Sequence, residues 1–171
     1  MSDHIVLGEL GEKLVELHFA NDFERFTDQY DERGDGVFKD GTIAEVKTQA
    51  IFKWFKREDM FRPEPAFTVP FRNAEGWFYQ NQFEKCKTVE RLFFVAVPYD
   101  QQRSVDLYEA PPPDKRNWFL RKGRVFRKWD MGILVKDCKL LQSFDENSTV
   151  TEAFVKYSGN TDIDYWESQY R

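Results

Sequence analysis

The segment from Val37 to Gln49 constrains the fold most, because a glycine-bearing turn separates two short runs of alternating residues. A turn at Lys39-Asp40-Gly41 between such runs predicts a β-hairpin. A period of two gives the second strand two faces, one with Ile43, Glu45 and Lys47 and the other with Ala44, Val46 and Thr48. The segment therefore predicts an acid and a base two residues apart on one face of a sheet strand.

The length of the turn decides which residues of the hairpin face each other. A three-residue turn with Gly41 in the left-handed conformation pairs Phe38 with Thr42, Val37 with Ile43, and Asp35 with Glu45. A two-residue turn at Asp40-Gly41 pairs Gly36 with Glu45 instead and puts Asp35 on the opposite face. The sequence leaves both registers open, and we favour the three-residue turn.

In the favoured register Asp35 and Glu45 lie opposite each other, with Cβ atoms about 5 Å apart. Two carboxylates at that distance repel, and a divalent cation offsets the repulsion. Mg²⁺ prefers oxygen ligands and keeps several waters, so the pair predicts a Mg²⁺ (or Mn²⁺) site. For Lys47 a catalytic role competes with a plain salt bridge to Glu45 or Asp35.

Periodicity and chain-breaking residues predict the other elements. Leucines at helical spacing predict a first helix over residues 4–20. The remaining predictions are a short strand at 23–30, a glycine-bearing turn at 31–36, an irregular segment at 58–72, a helix at 76–88, strands at 91–97, 104–109 and 132–141, and a polar tail. This order predicts an α/β or α+β domain over 1–171 with a mixed central sheet, its core at about 4–109 and a C-terminal extension at 110–171.

The first helix carries one carboxylate of interest, Glu12. At about 100° per residue it shares a stripe with Ile5, Gly8, Val15 and Phe19, which are apolar or small. This position favours a carboxylate directed into a functional cleft. The polar side of the helix begins close by, so a carboxylate at the border of a solvated face is the alternative.

A net charge of −5 disfavours nucleic acid as a partner, but the charge is unevenly distributed. A basic segment interleaved with aromatic rings consists of Lys115, Arg116, Trp118, Phe119, Arg121, Lys122, Arg124, Phe126, Arg127, Lys128 and Trp129. Basic groups bind phosphates and aromatic faces stack on unpaired bases, so the segment predicts a nucleic-acid surface. The alternative is a charged hairpin around Lys122-Gly123 whose rings are core. A smaller cluster, Lys53, Lys56 and Arg57 with Trp54 and Phe55, directly follows the predicted Glu45-Lys47 strand and is predicted to contact the nucleic-acid strand that is cut.

The sequence begins without a basic, apolar leader, and its longest apolar run is far shorter than a membrane span. Two cysteines are too few for a disulfide framework, and two scattered His with two Cys disfavour a zinc site. These features predict a cytoplasmic protein with no membrane partner, located in the host cytoplasm if a phage encodes it.

The combination of Glu12 on a helix, Asp35 in a turn and Glu45-Val46-Lys47 on a strand resembles the PD-(D/E)XK nuclease superfamily. The predicted order over residues 4–109 is similar to the αβββαβ core of that superfamily. The leading helix with Gly8 and Glu12 most resembles archaeal Holliday junction resolvases and phage or intron-encoded endonucleases. Gly34 stands where the motif has proline, which weakens the signature.

The resemblance implies that Asp35 and Glu45 ligate metal, that Lys47 positions the attacking water, and that Glu12 supports the metal or its waters. Some relatives carry a glutamine on the helix after the motif, which Gln80 or Gln82 could match. The expected function is a Mg²⁺-dependent DNA endonuclease of homing, restriction or junction-resolving type. We expect a homodimer or higher oligomer, because one such site cuts one strand. An RNA-acting nuclease of the same fold and a non-cleaving nucleic-acid-binding or regulatory protein remain alternatives.

Overall fold

A computed structural model describes residues 3–28, 31, 33–51, 55–57, 60–62, 64–72, 82–99, 102–113, 117–122 and 129–158. The helices are α1 Asp3–His18, α2 Gln82–Thr88 and α3 Thr149–Ser158. The strands are β1 Phe23–Arg25, β2 Gly36–Phe38, β3 Ile43–Gln49, β4 Phe55–Arg57, β5 Met60–Arg62, β6 Ala66–Arg72, β7 Arg91–Ala96, β8 Val105–Ala110, β9 Trp118–Lys122, β10 Trp129–Leu134 and β11 Lys139–Phe144.

Six of these strands form the main sheet, in the order β1-β2-β3-β7-β8-β11. Strands β3 and β7 are parallel, and all the other neighbours in this sheet are antiparallel. The predicted α/β class with a mixed central sheet is confirmed. A second sheet has the order β6-β10-β9, and β4 pairs with β5 alone.

The β2–β3 hairpin adopts the favoured register. Val37 pairs with Ile43, and the Phe38 N–H donates to the Thr42 carbonyl at 2.9 Å. Gly41 has φ of +88°, the left-handed conformation that a side chain would disfavour. The three-residue turn is confirmed, and it brings Asp35 to the end of the ladder beside β3.

The two faces of the main sheet are covered by different elements. On one face α1 and α3 pack over an apolar cluster that includes Ala44, Val46, Phe93 and Phe154. On the other face α2 and the β6-β10-β9 sheet cover a second cluster, in which the Phe67 and Phe94 rings stack with centroids 4.4 Å apart. Each face of β3 is therefore covered, although not by the same partners.

Three sequence predictions were wrong or too long. Residues 58–72, expected to be irregular, contain β5 and β6. The proline in β6 is tolerated because β6 is an edge strand and Pro70 pairs at a register shift opposite Asp130. The strand expected over 23–30 is only Phe23–Arg25. Residues 132–141, predicted as one strand, belong to β10 and β11 in different sheets, separated by a 3₁₀ turn at Val135–Asp137.

The C-terminal part of the described chain completes the main sheet. Strand β11 pairs with β8, so residues beyond 110 extend the same sheet as the predicted core. The segment expected to be a polar tail contains α3, whose Phe154 and Thr151 are buried. The helix predicted over 76–88 is confirmed for Gln82–Thr88, which form α2. Residues 76–81 lie outside the described part of the chain. None of the helices in the described residues has the length and apolar character needed to cross a bilayer.

Candidate active site

Asp35 is held at the open end of the β2–β3 ladder by three hydrogen bonds. Its N–H donates to the Ala44 carbonyl at 2.9 Å, and its carbonyl accepts from the Phe26 N–H at 2.9 Å. Its carboxylate Oδ2 accepts from the Val46 N–H at 2.7 Å. Gly36 is the first residue of β2, so the ladder does not reach the Val46 N–H. The Asp35 carboxylate accepts a hydrogen bond from this N–H in place of a strand partner.

The glycines beside Asp35 are required by close backbone contacts. Gly34 has φ of +152°, and a Cβ there would lie 2.7 Å from the Ala44 carbonyl oxygen. A Cβ at Gly36 would meet the Phe23 ring and the Glu24 carbonyl oxygen. Proline fixes φ near −65°, so it cannot replace Gly34 in this hairpin. Glycine at position 34, rather than proline, therefore has a conformational cause.

Glu45 and Lys47 form a buried ion pair on the face of β3 that is opposite Ala44 and Val46. The Lys47 ammonium Nζ lies 3.0 Å from Glu45 Oε1, and Glu45 is only 2% exposed. The second carboxylate oxygen, Glu45 Oε2, is buried and has no hydrogen-bond partner among the residues that the structure describes. A buried carboxylate oxygen without a donor is costly, and a bound cation is one way to satisfy it.

Burial changes the acid–base properties of all three groups. It raises the pKa of Asp35 to about 6, and the neighbouring Glu12 carboxylate adds to this. It also raises the pKa of Glu45, although Lys47 offsets part of the effect. Burial alone would lower the pKa of Lys47, but the neighbouring groups, led by Glu45, together outweigh it and leave that pKa above its ordinary value. Lys47 is therefore a cation and hydrogen-bond donor at neutral pH.

Glu12 lies beside Asp35, at the edge of a cleft between α1 and β1. Its Oε2 accepts a hydrogen bond from the Arg25 guanidinium at 3.0 Å, and its charge interacts with Asp35. The cleft has a volume of about 470 Å³ and is lined by Ile5, Glu9, Glu12, Arg25, Phe26, Thr27, Asp28 and Asp35. Glu12 thus lines a cleft, on the stripe that helical periodicity predicts, and its functional role stays a prediction.

A buried thiol packs against the same charged group from α2. Cys86 is fully buried and interacts electrostatically with Lys47, Glu45 and Asp35. Burial raises the pKa of the Cys86 thiol to about 12, so it is neutral and acts as part of the apolar wall. This wall keeps water from one side of the ion pair.

Among the described residues, no three His, Cys, Asp or Glu side chains converge into a group that could hold a metal ion by themselves. Two carboxylates are nevertheless enough for Mg²⁺, which commonly uses one or two carboxylates and completes its shell with waters and substrate phosphate. Asp35 and the unpartnered Glu45 Oε2 are the oxygen donors that fit such an ion.

Most of the predicted nucleic-acid-binding side chains lie outside the described part of the chain. The residues at which nothing is described are Lys53, Gln80, Lys115, Arg116, Arg124 and Arg127. The backbone alone is described for Lys56 and Arg57 in β4, Gln82 in α2, and Arg121 and Lys122 in β9. Strands β9 and β10 are antiparallel, with Lys122 opposite Trp129, which agrees with the hairpin alternative for this segment.

Trp118 does not offer an exposed ring for stacking on bases. It is buried in the second apolar cluster, and its indole N–H donates to the Pro111 carbonyl at 2.8 Å. The assignment of Trp118 to a nucleic-acid surface was wrong, because the spacing of aromatic residues in the sequence does not distinguish core rings from surface rings.

Two side chains near the site were missed by the sequence analysis. Arg25 binds Glu12 across the cleft, and no sequence signal links a residue in β1 to one in α1. Gln49 follows Lys47 by two residues, so it lies on the same face of β3, and its side chain binds the backbone of β6. Extending the period-two pattern by one step would have found Gln49.

Compared with known proteins, the chain matches no protein-family model and no curated protein. The functional interpretation therefore depends on the residues themselves and on how the fold arranges them.

Proposed function

We propose that this protein is a metal-dependent nuclease of the PD-(D/E)XK superfamily that hydrolyses phosphodiester bonds in DNA. Its active centre consists of Asp35, Glu45 and Lys47, with Glu12 in a supporting role. The observation that carries the proposal is the buried, unpartnered Glu45 Oε2 in a group that also contains Asp35 and Lys47. Such an arrangement contributes little to the stability of a fold, because replacing a buried ion pair with apolar residues of similar volume often leaves the protein equally stable.

Each residue of the centre has a task that its environment supports. Asp35 and Glu45 would hold Mg²⁺ or Mn²⁺, which lowers the pKa of a bound water and neutralises charge on the phosphate. Lys47 remains protonated beside Glu45, so it would donate a hydrogen bond to the attacking water or to a phosphate oxygen instead of removing a proton. Glu12 borders Asp35 in the cleft and would bind waters of the ion.

The order of elements also supports the proposal. Helix α1 precedes the antiparallel strands β1, β2 and β3, and α2 then leads to β7, which is parallel to β3. Apart from β4, β5 and β6, which lie between β3 and α2, this succession is similar to the αβββαβ order of restriction-endonuclease-like proteins. Strand β3, whose parallel neighbour is β7, carries both Glu45 and Lys47.

The substrate and assembly are part of the same proposal. The basic β9–β10 hairpin is expected to bind the phosphate backbone, and DNA is the expected polymer. A double-strand cut by a centre that hydrolyses one strand requires two copies, so we expect a homodimer or higher oligomer.

Cleavage assays with a substrate panel test the proposal directly. Supercoiled, linear, single-stranded and four-way-junction DNA and an RNA duplex are incubated with the protein, with and without Mg²⁺ or Mn²⁺. We expect metal-dependent cleavage of DNA, and its loss in Asp35→Ala, Glu45→Ala and Lys47→Ala. Matched controls are Glu24→Ala and Lys39→Ala, which remove exposed side chains of the same kinds from the adjoining strand and turn.

The outcomes distinguish the rival functions. Metal-dependent cleavage of RNA alone makes the protein an RNA nuclease of the same chemistry. Binding of nucleic acid without cleavage, combined with no Mn²⁺ binding in a calorimetric titration, identifies a non-cleaving protein and overturns the proposal. Full activity in any one of the three alanine variants removes that residue from the centre.

A further inference from the structure

Gln49 lies at the end of the strand that carries the candidate centre. Alternate residues of a strand share a face, so Gln49 lies on the same face of β3 as Glu45 and Lys47. Its backbone belongs to the main sheet, where it pairs with Ala96 and its carbonyl accepts from the Val97 N–H at 3.0 Å. Its backbone position is therefore tied to the centre through β3 itself.

The side-chain amide of Gln49 binds the second sheet at one residue. Its Nε2 donates to the Thr68 carbonyl at 2.7 Å, and its Oε1 accepts from the Thr68 N–H at 2.9 Å. A neighbouring strand would make the same pair of bonds with one residue. Strand β6 is an edge strand of the second sheet, where it pairs with β10. The Gln49 amide therefore takes the place of a strand neighbour on the other side of β6.

The contact leads across the second sheet to the basic hairpin. Thr68 is opposite Gly132 of β10, and Gly132 is opposite Phe119 of β9. Two residues beyond Phe119, β9 continues with Arg121 and Lys122. The paired strands of the second sheet thus connect the residue that the Gln49 amide binds with the strand that carries these basic residues.

The Gln49 amide fixes the position of β6 relative to β3 more closely than packing alone does. Phe67 and Phe94 stack between the sheets, and apolar contacts of this kind tolerate small sliding movements. Two hydrogen bonds to one peptide group set both the height and the register of β6 relative to β3. Both bonds are partly buried, so losing the amide would leave the Thr68 N–H and carbonyl without partners.

We propose that Gln49 is a positioning residue that sets the distance between the centre at Glu45 and Lys47 and the basic β9–β10 hairpin. It thereby determines where the cut falls relative to the phosphates that the hairpin binds. The inference rests on the proposed nuclease function, because it assigns the hairpin to the DNA backbone and the centre to cleavage.

Two variants of Gln49 test the inference. Gln49→Leu keeps the volume and removes both bonds, whereas Gln49→Glu keeps the acceptor and replaces the donor with an oxygen that faces the Thr68 carbonyl. The assay measures single-turnover cleavage of end-labelled DNA, the positions of the cuts, and binding affinity in metal-free buffer. We expect cleavage at least about tenfold slower and cuts spread over additional positions, with affinity within about twofold of the wild type.

Gln142→Leu and Gln142→Glu are the matched controls, because Gln142 is a strand glutamine whose amide accepts from the His18 ring on the opposite side of the main sheet from the second sheet. They should retain the wild-type rate and cut positions. Gln49 variants with the wild-type rate and cut positions overturn the inference while the nuclease proposal stands. A wild-type protein that cuts no substrate overturns the nuclease proposal, and the inference falls with it.

Melting curves separate positioning from folding. If Gln49→Leu is unfolded, Gln49→Glu supplies the measurement, and hydrogen exchange at the Thr68 amide reports the contact in the folded variant. A slower rate with unchanged cut positions assigns Gln49 a purely stabilising role and contradicts the inference.

Discussion

The two faces of β3 are covered to a similar extent, but they differ in chemistry. Ala44, Val46 and Thr48 pack towards α1, and Gly11 of that helix approaches Thr48 so closely that a Cβ would lie 1.8 Å from its hydroxyl oxygen. Glu45, Lys47 and Gln49 lie on the other face, where an ion pair and two amide hydrogen bonds replace apolar contacts. The first face needs close packing, whereas the second holds charges whose burial is costly.

This difference separates what the fold requires from what the proposed chemistry requires. Substitutions on the packed face should change the free energy of unfolding and leave the chemistry intact. Substitutions on the polar face should impair the proposed chemistry in variants that still fold. Variants at residues in and around the two faces test this separation.

Glu45→Gln should reduce the cleavage rate by about 100-fold or more, because it removes a charge from the centre with little change in volume. Val95→Ala is its counterpart on the packed face, on the strand next to β3. It should lower the free energy of unfolding by about 1–3 kcal/mol and leave the rate of the folded protein unchanged. Cleavage kinetics and denaturant melts check both variants, and the separation fails if Glu45→Gln retains the wild-type rate.

Asp35→Asn should stabilise the metal-free protein above pH 6. The pKa of Asp35 is raised from 3.8 to about 6, so the stability associated with its neutral form is full below about pH 4 and is lost as the pH rises through 6. The cost of the buried charge at pH 7.5 is on the order of 2–3 kcal/mol. Asparagine cannot ionise and still accepts from the Val46 N–H. Thermal melts in chelator should show the gain at pH 7.5 and none at pH 4.

Glu24→Gln is the control for this titration, because its side chain is exposed on β1. It should leave the pH dependence of stability unchanged. An Asp35→Asn protein whose stability follows the wild-type pH curve would mean that Asp35 is not the group responsible.

Two glycines of α1 should respond in opposite directions to alanine. Gly11→Ala forces a Cβ into Thr48 and should destabilise the protein by about 1–3 kcal/mol. Gly8→Ala meets nothing within 4 Å and should stabilise it by about 0.5–1 kcal/mol, since alanine is the better helix former. Urea denaturation measures both, and equal effects of the two substitutions would place Gly11 away from β3.

The sequence predicted local features well where residue chemistry decides them. Gly41 and the alternation around it predicted the β2–β3 hairpin and left two registers open, of which the structure has the favoured one. Breakers such as Pro98 marked the end of β7. Helical periodicity puts Glu12 on a defined stripe of α1, and that stripe borders the cleft beside Asp35.

Features that depend on distant contacts were not predictable from local patterns. Helix α3 has a largely polar sequence, and its single strongly buried ring, Phe154, finds its partners on α1 about 140 residues earlier. Nothing in the sequence shows that Trp118 points inward or that Pro70 falls at a bulge. Arg25 and Gln49 bind residues of other elements, so their roles depend on tertiary structure.

The contact between α1 and α3 has a consequence for the order in which the protein forms during synthesis. Leu10, Leu14 and Leu17 of α1 share a groove with Val150, Ala153 and Phe154 of α3. A ribosome adds about 5–20 residues per second, so α1 waits on the order of ten seconds before its partner helix is made. During that interval Leu14, which is buried in the folded protein, remains uncovered on the side that α3 will occupy, and α1, which carries Glu12, lacks its final support. The nascent chain therefore exposes the apolar side of α1 before the candidate centre is complete. We expect chaperones to bind α1 during this interval.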